Sequence, residues 1–344
     1  MRRARVKVEG NAHYHVMSRC ALQHFLLTDD VKGMFLKMLR RAEYFSGVKI
    51  VNYCIMDNHF HLLVHVPEKR EVSRDELDDR ISVLYGEKKA SRIQARWRAL
   101  QETGAGAIAE SETAAFRRRM FDISEFMKTF KQRFSLWYCS NHGNLEGTIW
   151  QGPFHSVLVE GSHDALGAIS TYITMNPVRA GIVKDPGRYA WSGYGAACQG
   201  DYDAKNALLS AVQSNATKAA KWKEHVEIIR RTLIEDEAGE SQAGEAVGSE
   251  GAAVARATGK GNCAENAGAG GGDGKSQGKL VLATTAAAMK RREQAVSRGV
   301  AFGSEVFVRK AIADASTCQE ILTYPKEFCV GGNTLLFCAG RRRA

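Results

Sequence analysis

Two strand-like runs dominate the N-terminal part of the chain. Residues 48–56 (VKIVNYCIM) and 60–66 (FHLLVHV) are both apolar and β-branched-rich, and only Asp57-Asn58-His59 separates them. Asp and Asn favour turns, so the pair reads as a hairpin. A hairpin cannot bury its apolar face alone. It needs a further strand and covering helices. Both lie upstream. Residues 12–18 (AHYHVMS) read as a strand. Residues 29–46 read as an amphipathic helix, with Val31, Met34, Phe35, Met38, Leu39 and Ala42 at helical spacing and Asp29 or Asp30 as N-cap. The first 67 residues therefore read β-α-β-β.

Further on, residues 68–120 are charged and helical, consistent with an inserted, solvated helical segment. Residues 120–143 form one amphipathic helix. Its apolar face carries Ile123, Met127, Phe130, Phe134, Trp137 and Tyr138, and its other face Lys128, Lys131 and Arg133. Residues 148–159 read as a strand or hairpin. Residues 163–175 read as a short helix that Pro177 is expected to stop or sharply limit. The sum is an α+β fold, a ferredoxin-like antiparallel sheet (β-α-β-β-α-β) with helices on one face. The expected organisation is a catalytic domain over 1–200, with its helical insertion at 68–120, and a helical segment over 201–237. A disordered linker follows at 238–278, and a small C-terminal extension at 279–344. The linker assignment rests on 12 glycines among the 41 residues of 238–278.

Charge narrows the partners. The chain of 344 residues carries +10 overall, and residues 1–200 hold 28 basic against 21 acidic residues, +7. A basic front half suits a polyanion, nucleic acid being the commonest. No apolar run is long enough for a membrane span, and no signal peptide is apparent, so a cytoplasmic protein is expected. Eight scattered cysteines include no CxxC pair, which speaks against a zinc ribbon. Gly274-Lys275-Ser276 lacks the first glycine and the preceding strand of a nucleotide-binding loop, and no nucleotide cofactor is expected.

Two constellations could carry chemistry. His59-Phe60-His61 places two imidazoles on one face of a strand while Phe60 turns to the other. They are half of a divalent-metal site, or a pair of surface histidines. His13-Tyr14-His15 has the same spacing but sits near the basic N-terminus without that context, and His65 lies further along its strand. Tyr172 and Asn176, four apart, project from one helix face. They could pair a nucleophile with a third ligand. Equally, Tyr172 could pack on the sheet while Asn176 caps the helix.

The chain resembles a known family on these same residues. Ile55-Met56-Asp57-Asn58 leading into His59-Phe60-His61 and Leu62-Leu63-Val64 is similar to the HUH motif of single-tyrosine transposases, in particular the REP-associated tyrosine transposases. Tyr14-His15-Val16 with Arg19, Trp150-Gln151-Gly152, and Tyr172-Ile173 followed by Asn176-Pro177-Val178-Arg179-Ala180-Gly181 agree in order. The resemblance covers about residues 10–195 and implies a metal-dependent DNA transposase that cleaves and rejoins single-stranded or hairpin DNA through a 5′-phosphotyrosine. It implies Tyr172 as nucleophile and His59, His61 and Asn176 as ligands of Mg²⁺ or Mn²⁺, in a nucleoid-associated protein. Arg2, Arg3, Arg5, Lys7 and Arg19, with Lys128, Lys131 and Arg133, are the candidate DNA contacts. Asp57, where the family often has proline, Cys20 in place of a glycine, and Pro153 and His155 in place of a basic pair depart from the pattern. The alternatives are a catalytically inactive hairpin-binding protein on the same fold and a replication-initiation nickase. The missing nucleotide-binding motif and the single well-placed tyrosine weigh against the nickase. Sequence leaves monomer or homodimer open.

Overall fold

The computed structural model describes residue 8 and residues 10–21, 26–143, 148–211, 216–254, 301–316, 326–330 and 334–339. Side chains are described to residue 236 and again over 301–311. The elements are β1 (Ala12–Arg19), α1 (Asp29–Ser46), β2 (Lys49–Ile55), β3 (His59–Val66), α2 (Arg74–Tyr85), α3 (Glu87–Glu102), α4 (Gly106–Arg117) and α5 (Ile123–His142). They continue with β4 (His155–Val159), α6 (His163–Arg179), α7 (Gly193–Cys198), α8 (Tyr202–Ser210), α9 (Lys218–Val254), β5 (Ala301–Gly303), α10 (Glu305–Ser316), β6 (Lys326–Val330) and β7 (Thr334–Ala339).

The sheet order is β2-β3-β1-β4-β5-β7-β6. Its first four strands are the expected β-α-β-β-α-β sheet. β3 lies between β2 and β1 and is antiparallel to both, and β4 is antiparallel to β1. Strand alternation then divides the core. Tyr14 and Val16 of β1, Phe60, Leu62 and Val64 of β3, and Leu158 of β4 pack under α1 and α5. Phe35, fully buried, meets Phe60, Phe130 and Phe134 at ring-centroid distances of 5.0, 4.7 and 5.2 Å. Leu63, Val157 and Val159 face the other way, under Ala165, Leu166, Ile169 and Ile173 of α6. The expectation of helices on one face is thus corrected for α6. Both faces of the central strands are apolar, as Leu62-Leu63-Val64 shows, so the second face also needs a cover.

Three further differences have local causes. Thr28 occupies the N-cap position of α1 without a side-chain capping bond, and Asp29 and Asp30 lie in the first turn, where their charge suits the helix dipole. α6 continues through Pro177 to Arg179. Proline deprives the Ile173 carbonyl of its usual donor, and the Asn176 side-chain amide, bonded to the Tyr172 carbonyl at 2.8 Å, approaches that carbonyl at 3.5 Å. α9 carries helical backbone to Val254, into the stretch that composition assigned to a linker. Alanine and glutamate between its glycines are good helix formers. Residues 255–300, including Gly274-Lys275-Ser276, lie outside the described residues.

The inserted helices α2–α4 have their own core, with Trp97, Leu77, Ile81 and Leu84 fully buried against Phe45 of α1. The C-terminal residues extend the sheet. β5 lies parallel to β4, pairing Leu158 with Ala301 and Val159 with Phe302. Glu160 accepts from the Ser304 N–H at 2.7 Å and from its hydroxyl at 2.8 Å. Gly303 is required there, because a Cβ would overlap the Glu160 side chain.

Candidate active site

The site begins at the turn before β3. The Cys20 N–H donates to the Asn58 carbonyl (2.8 Å), and the Leu27 N–H to the Asp57 carbonyl (2.9 Å). The Lys32 ammonium, buried on α1, reaches the Asp57 carboxylate at 2.6 Å and Asp29 at 3.1 Å. Asp57 is therefore the anchor of this turn in place of proline's rigidity. His59 Nδ1 lies 2.7 Å from Asn58 Oδ1. An amide oxygen only accepts, so His59 Nδ1 carries the hydrogen and Nε2 keeps its lone pair.

His61 is buried on the α6-facing side of the sheet, and there it meets His15 of β1. In the antiparallel β1/β3 ladder Met17 opposes His61 and Leu63 opposes His15, which puts His15 diagonally across from His61 on the same face. His15 Nε2 and His61 Nδ1 are 2.9 Å apart, their rings stacked at 5.1 Å. The His59 and His61 rings are also 5.1 Å apart, edge to face. His13 and His65 stack separately at 4.7 Å, further along the strands.

α6 lays its tyrosine over this cluster. Asn52, buried beside a register shift in β2, donates to the Ser170 carbonyl, the Ser170 hydroxyl and the Thr174 hydroxyl at 2.9–3.1 Å. That clamp sets the turn of α6 that carries Tyr172. The Tyr172 ring stands edge-on to His15 and to His61, each at 5.7 Å. Arg179, one turn past Asn176, lies 5.8 Å from the Tyr172 ring and pairs with Asp236 of α9 at 2.9 Å.

Burial keeps the histidines neutral. It holds His59 down at about 4, assisted by the Arg19 charge, and pushes His61 well below the usual imidazole range, assisted by His15, His59 and Arg19. Neutral imidazole is the metal-binding form. A hydrogen bond at Nδ1 is the usual way to orient a ligating histidine through Nε2. Asn176 adds an amide oxygen one helical turn from Tyr172, its nitrogen already engaged. The donor set of two imidazoles and one amide oxygen is compatible with a divalent cation, which takes further oxygen ligands from water and phosphate. Among the described residues, no group of three His, Cys, Asp or Glu side chains is placed to hold a metal ion.

The candidate DNA contacts separate. Arg19 stands opposite His59 across the β1/β3 ladder. Lys131 binds the Ser18 hydroxyl at 2.9 Å and the Gly152 carbonyl at 2.8 Å, beside that end of β1. Lys128 is paired with Glu125, and Arg133 lies against Tyr85 of the insertion. Arg2, Arg3, Arg5 and Lys7 lie outside the described residues. Sequence reasoning missed His15, Asn52 and the orienting role of Asn58. The signal for His15 was the β-α-β-β order itself, which pairs β1 with β3 and puts the two His-x-His runs on one face.

The family model of IS200-like transposases fits this part of the chain. Residues 9–94 match it. The match spans β1 through the first half of α3 and bears out the transposase resemblance of the His59-Phe60-His61 segment. Two solved structures are similar. One is a REP-associated tyrosine transposase bound to a REP hairpin, at 17% identity, covering 57% of this chain and 82% of that one, with a TM-score of 0.33. The other is a candidate transposase from Deinococcus radiodurans R1, at 14% identity, covering 53% of this chain and 92% of that one, with a TM-score of 0.25. No curated protein matches. Among the described residues, no helix is long and apolar enough to cross a membrane.

Proposed function

We propose that the protein is a metal-dependent DNA strand transferase acting on single-stranded or hairpin DNA, with Tyr172 as its nucleophile. The observation that carries this reading is the convergence of Tyr172, from α6, on His61 and His15, from β3 and β1. These residues are distant in sequence and share one partly enclosed face.

His59, His61 and Asn176 are the residues that would hold Mg²⁺ or Mn²⁺. Such a cation supplies Lewis acidity at the scissile phosphate and offsets charge on the departing oxygen. Asn58 and His15 hold the two imidazoles in orientation through their Nδ1 atoms. Arg19, beside His59, would bind a phosphate oxygen. The Tyr172 oxygen attacks phosphorus, a P–O bond to tyrosine forms, and the P–O3′ bond breaks. The phenol proton is released, and the leaving oxygen takes up a proton to become a 3′-OH. Attack of another 3′-OH on the phosphotyrosine reverses the step and joins a new strand, so no nucleotide cofactor is consumed.

The test is covalent trapping. Full-length protein is incubated with end-labelled hairpin oligonucleotides from its own genomic flanks, with and without Mn²⁺, and resolved on denaturing gels. A Mn²⁺-dependent adduct on the 3′-side fragment, lost in Tyr172→Phe, supports the transferase. Binding of the hairpin without any adduct, equal in Tyr172→Phe and without Mn²⁺, supports instead the inactive hairpin-binding protein.

A further inference from the structure

Away from Tyr172, cations gather where the insertion meets the sheet domain. Tyr85 ends α2, and Lys89 of α3 and Arg133 of α5 approach its ring at 4.8 and 4.9 Å. The Arg119 guanidinium donates to the Tyr85 hydroxyl at 2.9 Å. Among the described residues none of these three cations has a carboxylate partner. Arg133 is half-buried, and burial together with the nearby Arg41 and Arg119 pushes its guanidinium below the usual range. The α2–α3 elbow also lines an open groove of about 750 Å³. Lys88 and Arg92 project there, exposed and with no partner among the described residues. Arg96 on the same groove is neutralised by Glu112, and Glu87 is its one lining carboxylate.

Elsewhere on the insertion Arg70 and Arg80 pair with Glu76, Arg74 with Asp78 and Arg117 with Glu110. Cations gathered on one groove raise a local positive potential that draws an anion to it. α5 carries Lys131 to the Ser18 end of β1 and, two residues later, Arg133 to Tyr85. One helix therefore joins the elbow to the end of β1 where Arg19 stands opposite His59.

We propose that the α2–α3 elbow, with Lys88, Lys89, Arg92 and Arg133 around Tyr85, is a second DNA-binding surface that grips the phosphate backbone of the stem flanking the cleaved strand. It rests on the transferase reading for the identity of the polyanion. The insertion then has a function of its own, anchoring duplex DNA while the strand end is threaded to Tyr172.

The test uses the Lys88→Gln/Arg92→Gln variant of the full chain, whose two changes remove exposed, unpartnered charges. Fluorescence anisotropy measures binding to a tailed hairpin and to a short single strand without a stem, over a salt series. Each lost duplex phosphate contact lowers the slope of log affinity against log salt by about 0.9. The slope for the tailed hairpin is expected to fall by about 1.5 to 2, and that for the short strand to stay as in the unmodified protein. An unchanged hairpin slope, or equal losses on both DNAs, overturns the proposal. Arg133→Gln provides a second variant, expected to lower the tailed-hairpin slope by about 0.9 and to leave the short-strand slope unchanged. Adduct formation on the short strand reads the transferase separately: an adduct with an unchanged hairpin slope defeats the elbow alone. A reduced hairpin slope with no adduct on any DNA supports the elbow and defeats the transferase.

Discussion

Replacing Asp57 with alanine tests how the turn ahead of the histidine strand is held. The Lys32 side chain is 4% exposed, Asp57 is 44% exposed, and they meet at 2.6 Å. At an effective dielectric constant of ~20 the gross attraction is about 6 kcal/mol. Desolvation of Lys32 and the half-open position of Asp57 offset most of it, leaving a net coupling of about 2 kcal/mol. The two single variants are not equivalent. Asp57→Ala strands a buried ammonium whose remaining partner, Asp29, is 76% exposed. Lys32→Met leaves a carboxylate that water can reach, and should cost about 1 kcal/mol or less. Urea unfolding of the two singles and the double gives the cycle. Asp57→Ala should lose about 2 kcal/mol, near 4 °C in Tm, and the double should lie close to Lys32→Met. If Lys32→Met is the more damaging single, or the coupling is below about 0.5 kcal/mol, the turn is not held by this pair.

Other expectations follow from single contacts. His225 is buried against Tyr194 and Trp222 with Nε2 unpartnered, and burial lowers it to about 4. Its folded pKa lies below the unfolded value of ~6.5, so its stabilisation is complete above pH 6.5 and is lost as pH falls toward 4, by about 3 kcal/mol; His225→Phe should flatten that part of the stability–pH curve relative to the parent. Asn52→Ala removes the clamp between β2 and α6 and should cost about 2 kcal/mol in urea unfolding, with no effect if α6 is held by its apolar face alone. Glu160→Ala deletes both bonds to Ser304 and should speed limited proteolysis within residues 301–316 about tenfold, whereas an unchanged rate would mean that strand pairing holds that segment.

The hairpin, the first helix and the N-terminal sheet topology were legible because alternation and helical periodicity are strong there, and α1 occupies the expected 29–46. The position of α6 was not. A strand such as Leu62-Leu63-Val64, apolar on both faces, does not say which helix covers which side. The His59/His61 pair could be found from spacing, but His15 could not be separated from His13 by spacing alone. Only the ladder, with Leu63 opposite His15, places it against His61. Pro177 marked a helix end by the usual rule, which a side-chain amide one residue earlier relaxes. The elbow around Tyr85 joins residues from α2, α3 and α5, and no local pattern announces such a meeting.

The central claim is that Tyr172 becomes covalently joined to DNA. The most direct measurement is peptide mass spectrometry of the trapped complex after nuclease and protease digestion. The account predicts a nucleotide remnant on Tyr172, in the peptide that contains Asn176, formed only with Mg²⁺ or Mn²⁺ present and absent from His61→Ala. A remnant on Tyr138 or Tyr189, or unmodified Tyr172 in protein that has demonstrably cut its DNA, would contradict it.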